Sequence, residues 1–137
     1  DHCGEAAEIT LPEGERGTVT VSGTTTGATD MMHPDCMASE GAYYDGPDVV
    51  YSFTLEDPAF VIIDYIGGPE DPMHPDTALS LRKDCRVADL FCNDDFSAYY
   101  HSRVGGSISA GTYYVICDAY GDNSGDFTLG IRLSDLP

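Results

Sequence analysis

The chain has 137 residues, with 24 Asp and Glu against 6 Lys and Arg and a formal net charge of -18. That length suits one domain, and a hydrophobic content of 42% with 9 Tyr and 5 Phe separates it from a disordered acidic tail. The charge excludes nucleic acid, whose phosphates need clustered Lys and Arg, and disfavours an anionic membrane surface, while no apolar run approaches the roughly 18 residues of a membrane helix.

Taken in order, the chain opens on Asp1, as a processed or trimmed product would, with no signal peptide expected in it. Cys3 is expected to pair with Cys36, joining the N-terminus to the loop before the first strong strand. Thr18 to Ser22 alternates around Val19 and Val21. Met31, Met32, His33 and Met37 follow, and Met-His-Pro-Asp occurs at both 32–35 and 73–76. Thioether and imidazole suit copper, but no strict ligand spacing accompanies them. Val49, Tyr51, Phe53 and Leu55 alternate with Val50, Ser52 and Thr54, and Phe60 to Ile66 is nearly continuously apolar. Thr77 to Leu81 reads as another strand, and Cys85 and Cys92 bracket a short stretch that a disulfide can close between paired strands. Zinc is the rival use of cysteine, but no C-x-x-C is present. Further strands follow around Ser102 to Ile108, at Tyr113 to Cys117 and at Phe127 to Leu133.

The period is two throughout, Gly, Pro, Asn and Asp punctuate the strands, and no window carries an amphipathic helix. One all-β domain over residues 1–137 follows, an antiparallel β-sandwich stapled by the Cys3–Cys36 and Cys85–Cys92 disulfides. Five cysteines beside a single lysine suggest an oxidising compartment. Cys117, inside an apolar run, is either a small buried hydrophobe or an intermolecular link.

Antiparallel pairing of these strands sends Asp76, Asn93, Asp94, Asp95, Asp118, Asp122 and Asp126 to one end of the sandwich. Carboxylate and carbonyl oxygens converging from several loops are what Ca²⁺ requires, although Asp and Asn also simply favour turns at strand ends. Tyr99, Tyr100 and His101 fall in a loop and are candidates for contact with a ligand, since an aromatic face stacks while a hydroxyl hydrogen-bonds. Inward tyrosines on strands, Tyr113 or Tyr114 among them, belong to the core. Neither a G-x-S-x-G elbow nor an H-E-x-x-H pair occurs, and so many acids make any carboxylate pair uninformative, so no enzyme is expected.

Several motifs in fixed order carry a family resemblance: Gly23 to Asp30, Gly46 to Phe53, Asp76 to Arg82, Leu90 to Asp95 with Cys85, Ser102 to Val104, Ala110 to Val115 and Ser124 to Leu129. Across residues 3–133 the chain resembles the bacterial pre-peptidase C-terminal domain family. The resemblance implies a non-catalytic, exported jelly-roll sandwich, appended to or repeated beside other secreted modules. Some relatives are similar to collagen-binding domains of secreted peptidases and bind calcium. Cys117 stands where Val is more usual, and the Met-His-Pro-Asp segments replace shorter loops, so loop-borne ligand specificity does not carry over. The expected function is binding or adhesion at a bacterial cell surface or matrix, with an extracellular polysaccharide or protein as partner. Alternatives are a self-assembling subunit of an extracellular fibre or layer, joined by strand addition or calcium, and a hydrolase with an unrecognised site.

Overall fold

A computed structural model describes residues 2–28, 48–67, 77–84, 87–93, 103–119 and 125–137. Its strands are β1 (Ala7–Glu8), β2 (Gly17–Thr24), β3 (Asp48–Leu55), β4 (Ala59–Gly67), β5 (Thr77–Arg82), β6 (Phe91–Asn93), β7 (Arg103–Ile108), β8 (Gly111–Ala119) and β9 (Asp126–Ser134). They form a five-stranded sheet in the order β1-β3-β8-β5-β6 and a four-stranded sheet in the order β2-β9-β4-β7. From β2 onward almost every connection crosses from one sheet to the other, which is the winding of a jelly roll.

The ladders are antiparallel with one exception that the sequence does not announce. β1 pairs parallel with β3, Ala7 against Tyr51 and Glu8 against Ser52, and Ile9 N–H extends the contact to the Ser52 carbonyl. Two residues are too short to show a period. β6 spans Phe91–Asn93, and just before it Leu90 N–H bonds the Leu81 carbonyl.

Alternate residues of both sheets meet in one core. Phe53, Leu55, Val61, Ile63, Leu79, Leu81, Tyr113, Val115, Leu129 and Ile131 are fully or almost fully buried. Phe53 stacks on Tyr113 with ring centroids 5.7 Å apart, and the Tyr113 hydroxyl donates to the Ser109 carbonyl at 2.7 Å. Burying side chains of this size, at about 1.5–3 kcal/mol each, is what offsets the ordering of the strands.

The sheets differ on their outer faces. β9 alternates except at the buried Gly130, with Thr128 and Arg132 facing outward between buried neighbours. β8 does not, since Tyr113, Val115, Ile116, Cys117 and Asp118 are all buried. Val50 and Ile116 form a second small cluster on the outer side of the five-stranded sheet, with Ala6 and Tyr114 packed against it. Ala78 and Ser80 are buried on that side as well.

Two devices tie the ends and edges. Glu15 sits at φ 55, a left-handed conformation that a side chain normally avoids. Its carboxylate accepts the N–H groups of Glu56, at 2.9 Å, and Asp57, at 3.3 Å, holding the β3–β4 turn. Along one side of the sandwich, Phe91 of β6 lies over Gly106 of β7, where a Cβ would collide with the tip of the Phe91 ring. Gly106→Ala is therefore expected to lower stability by about 1–3 kcal/mol through overpacking, read as a melting temperature several degrees lower. An unchanged melt would show that Phe91 does not close this side.

Candidate functional site

The end of the sandwich where β3 begins and β8 ends carries the most chemistry. Asp48 and Asp118 stand directly opposite each other in the β3–β8 ladder, so their side chains share the outer face of the five-stranded sheet. Each is only 1% exposed. Ala78 flanks Asp118 from β5, and two positions along the same face lies Ser80, a buried residue whose Oγ has no hydrogen-bond partner among the described residues. A cavity of about 450 Å³ opens beside Asp48, with Glu5, Ala7, Gly27, Ala28 and Tyr51 also in its wall.

Beneath the two carboxylates, on the inner face, sit Cys117 and three aromatic rings. Phe127 meets Tyr51 and Tyr65 edge-on, at 6.3 and 5.6 Å between centroids. Gly23 makes room for this group, since a Cβ there would collide with the Tyr51 hydroxyl. The Tyr65 hydroxyl reaches toward the Ala78 carbonyl at 3.4 Å. Burial is the main force pushing the Cys117 thiol up to about 12, and the Asp118 and Asp48 charges add to it against a lowering hydrogen bond with Tyr65. Burial likewise raises Tyr65 well above the ordinary phenol range, with further contributions from Cys117 and Asp118. Cys117 is a free thiol.

The described members of the expected calcium set do not meet as side chains. Asn93 faces the inner side, because it shares Leu79 as a ladder neighbour with Cys117, and its Oδ1 accepts the Arg103 N–H at 3.0 Å. Asp118 faces the outer side of that sheet. Asp126, opposite Thr24, is exposed at the end of β9 in the other sheet. All three lie at the same end, but strand parity turns them in different directions. Asp76, Asp94, Asp95, Asp122, Tyr99, Tyr100 and His101 lie outside the described residues. So do Cys36, Cys85 and the side chain of Cys3. Among the described residues no group of three or more acids, His or Cys is placed to hold a metal.

Asp48 is the residue that sequence reasoning missed. It sits after Gly46-Pro47, where an Asp reads as part of a turn. Its alternation with Val50 and Ser52 shows which face it takes, but the register that sets it against Asp118 is a long-range fact. Ion pairs elsewhere among the described residues tie the scaffold. Arg103 holds Asp64 across the β4–β7 ladder at 2.7 Å, and the buried Arg82 pairs with Asp89.

No protein-family model matches the sequence, and no curated protein matches it either. Solved structures share its fold. The pre-peptidase C-terminal domain of a collagenase from Bacillus anthracis superimposes with a TM-score of 0.56 at 15% identity, covering 94% of both chains. A periplasmic inhibitor of g-type lysozyme from Aeromonas hydrophila gives a TM-score of 0.57 at 10% identity, covering 94% of this chain and 96% of that one.

The raised Cys117 thiol makes a pH prediction. In the unfolded chain the thiol ionises near its usual 9.0, whereas in the folded chain it keeps its proton to about 12. Its contribution to stability is thus complete below the lower value and is lost as pH rises across that window. Cys117→Val is expected to flatten part of the alkaline fall in melting temperature, and the native thiol should resist maleimide until the chain unfolds. Rapid labelling of the folded protein would contradict the burial.

Proposed function

We propose that this chain is a non-catalytic, extracellular binding module of bacterial origin, stabilised by calcium at the end where Asp48 faces Asp118. The observation that carries the reading is that pair of carboxylates, both 1% exposed and directly opposed in one ladder. Two carboxylates brought side by side offer oxygens of the kind a hard cation takes, together with carbonyl oxygens nearby. The rest of the ligand set in this reading comes from other acids of the expected calcium set, Asp94 and Asp95 first among them. The cavity beside Asp48, with Glu5 in its wall, gives a path for the ion.

The fold shared with a pre-peptidase C-terminal domain and a lysozyme inhibitor supports a role in binding rather than chemistry. The partner in this reading is an extracellular polysaccharide or protein, contacted through Tyr99, Tyr100 and His101. The Cys3–Cys36 and Cys85–Cys92 disulfides belong to the same proposal and suit an oxidising compartment. Non-reducing peptide mapping tests them: recovery of Cys85 linked to Cys92 supports the staple, and a free Cys85 removes it.

Calcium is tested by thermal melts in millimolar calcium and in chelator. A cation bound to the folded state alone, at 100 times its dissociation constant, adds about 2.7 kcal/mol, so a rise of several degrees is expected. Asp48→Asn combined with Asp118→Asn should abolish that rise. An equal rise in the variant would move the ion elsewhere, and no rise in the wild type would remove it from the account.

A further inference from the structure

We propose that β2 is an association edge, and that its partner is β2 of a second copy of this chain, paired antiparallel about a two-fold axis. The proposal goes beyond ligand binding at the calcium end and does not depend on it. It starts from how the four sheet edges are treated. A strand at the edge of a sheet exposes unpaired N–H and C=O groups, and natural proteins blunt such edges with short strands, charge, proline, bulges or a cover.

Three of the edges here are blunted in one of those ways. β1 is two residues long and carries Glu8. β6 is three residues long, and its Phe91 covers Gly106 of β7. β7 begins with Arg103, which is bound to Asp64. β2 is different. It runs for eight residues, Gly17–Thr24, with neither a charge nor a proline, in a chain of net charge -18. Its ladder to β9 is regular from Gly17–Leu133 to Thr24–Asp126, with no bulge to twist it away. Among the described residues nothing pairs with its other edge, and no backbone group of β2 bonds outside that ladder.

The occupant follows from the side chains. Thr18, Thr20, Ser22 and Thr24 are exposed on the outer face, while Val19 and Val21 are half-buried toward the core. Opposed residues in an antiparallel pair share a face, so β2 can pair with itself only at registers that match hydroxyl with hydroxyl and valine with the inner side. An axis through Thr20 does this, setting Thr18 against Ser22 and Val19 against Val21. An axis through Val21 does so too, with Thr20 against Ser22 and Thr18 against Thr24. Hydroxyl pairs of this kind already occur within the molecule, as Ser22 with Thr128 at 3.3 Å and Thr54 with Thr112 at 2.8 Å. Pairing would complete the N–H and C=O groups of both strands and extend the inner cover over Val19 and Val21. A charge-free edge is also where two copies of so acidic a chain meet the least repulsion. Because each copy is acidic, salt should tighten the association by screening the remaining repulsion.

Sedimentation equilibrium from micromolar to near-millimolar protein, at low and high salt, reads the result. The wild type is expected to move from the 14.7 kDa monomer toward twice that mass, more readily at high salt. Thr20→Lys, which changes an exposed side chain, should weaken dimerisation at least tenfold without lowering the melting temperature. Thr20→Cys, or Thr20→Cys with Ser22→Cys for the axis through Val21, should be captured as a covalent dimer under mild oxidation. These captures keep the proposal testable should Thr20→Lys fold poorly. A wild type that stays monomeric throughout would overturn the proposal. A dimer that Thr20→Lys leaves intact and neither cysteine variant captures would also overturn it, by placing the contact on another surface. None of these outcomes bears on calcium or ligand binding, so failure here is distinct from failure of the binding-module reading.

Discussion

Strand β8 has protein on both of its faces, and the rest of the molecule is arranged around that fact. Its inner residues Tyr113, Val115 and Cys117 lie in the main core, and its outer residues Ile116 and Asp118 are buried as well. Each backbone neighbour is fixed by a full ladder, β3 on one side and β5 on the other. A register slip of one residue would turn Val115 out and Asp118 into the core, so the pairing is strongly specified. The same register brings Asp48 to Asp118 and sets both just above the thiol of Cys117. Stability and candidate chemistry are thus consequences of a single strand alignment.

How much of this was legible depended on what lay on the outer face of each strand. β9 and β2 border water on one side, so their alternation of apolar and polar residues was plain in the sequence. β8 and β5 are buried on both sides, and β8 reads as a continuous apolar run from Tyr113 to Cys117 whose strand character came from length and flanking turns. β1 was invisible because two residues have no period, and its parallel pairing with β3 is purely tertiary. For the site, the hairpin argument spoke only to the end of the sandwich at which each acid lies. It could not say which way each side chain turned, since parity depends on the register of strands distant in sequence. Asn93 was committed to Arg103 N–H for that reason, and Asp48 went unnoticed.

The acidity of the chain then acquires a structural meaning. Two carboxylates are withdrawn from water at the loop end, and two more, Asp64 and Asp89, are matched to arginines. In the proposed reading, a divalent cation shared by Asp48 and Asp118 offsets part of this acidity. The uncharged β2 edge is the complement of this distribution, the one long strand edge kept clear of charge among the described residues.

The claim on which the functional account turns is that a cation sits between Asp48 and Asp118. Anomalous diffraction from crystals grown with calcium, or with a lanthanide in its place, tests it most directly. The account predicts a peak within about 2.3–2.6 Å of oxygens from both carboxylates. Ordered crystals with no peak there, or with the ion held by other residues alone, would contradict it.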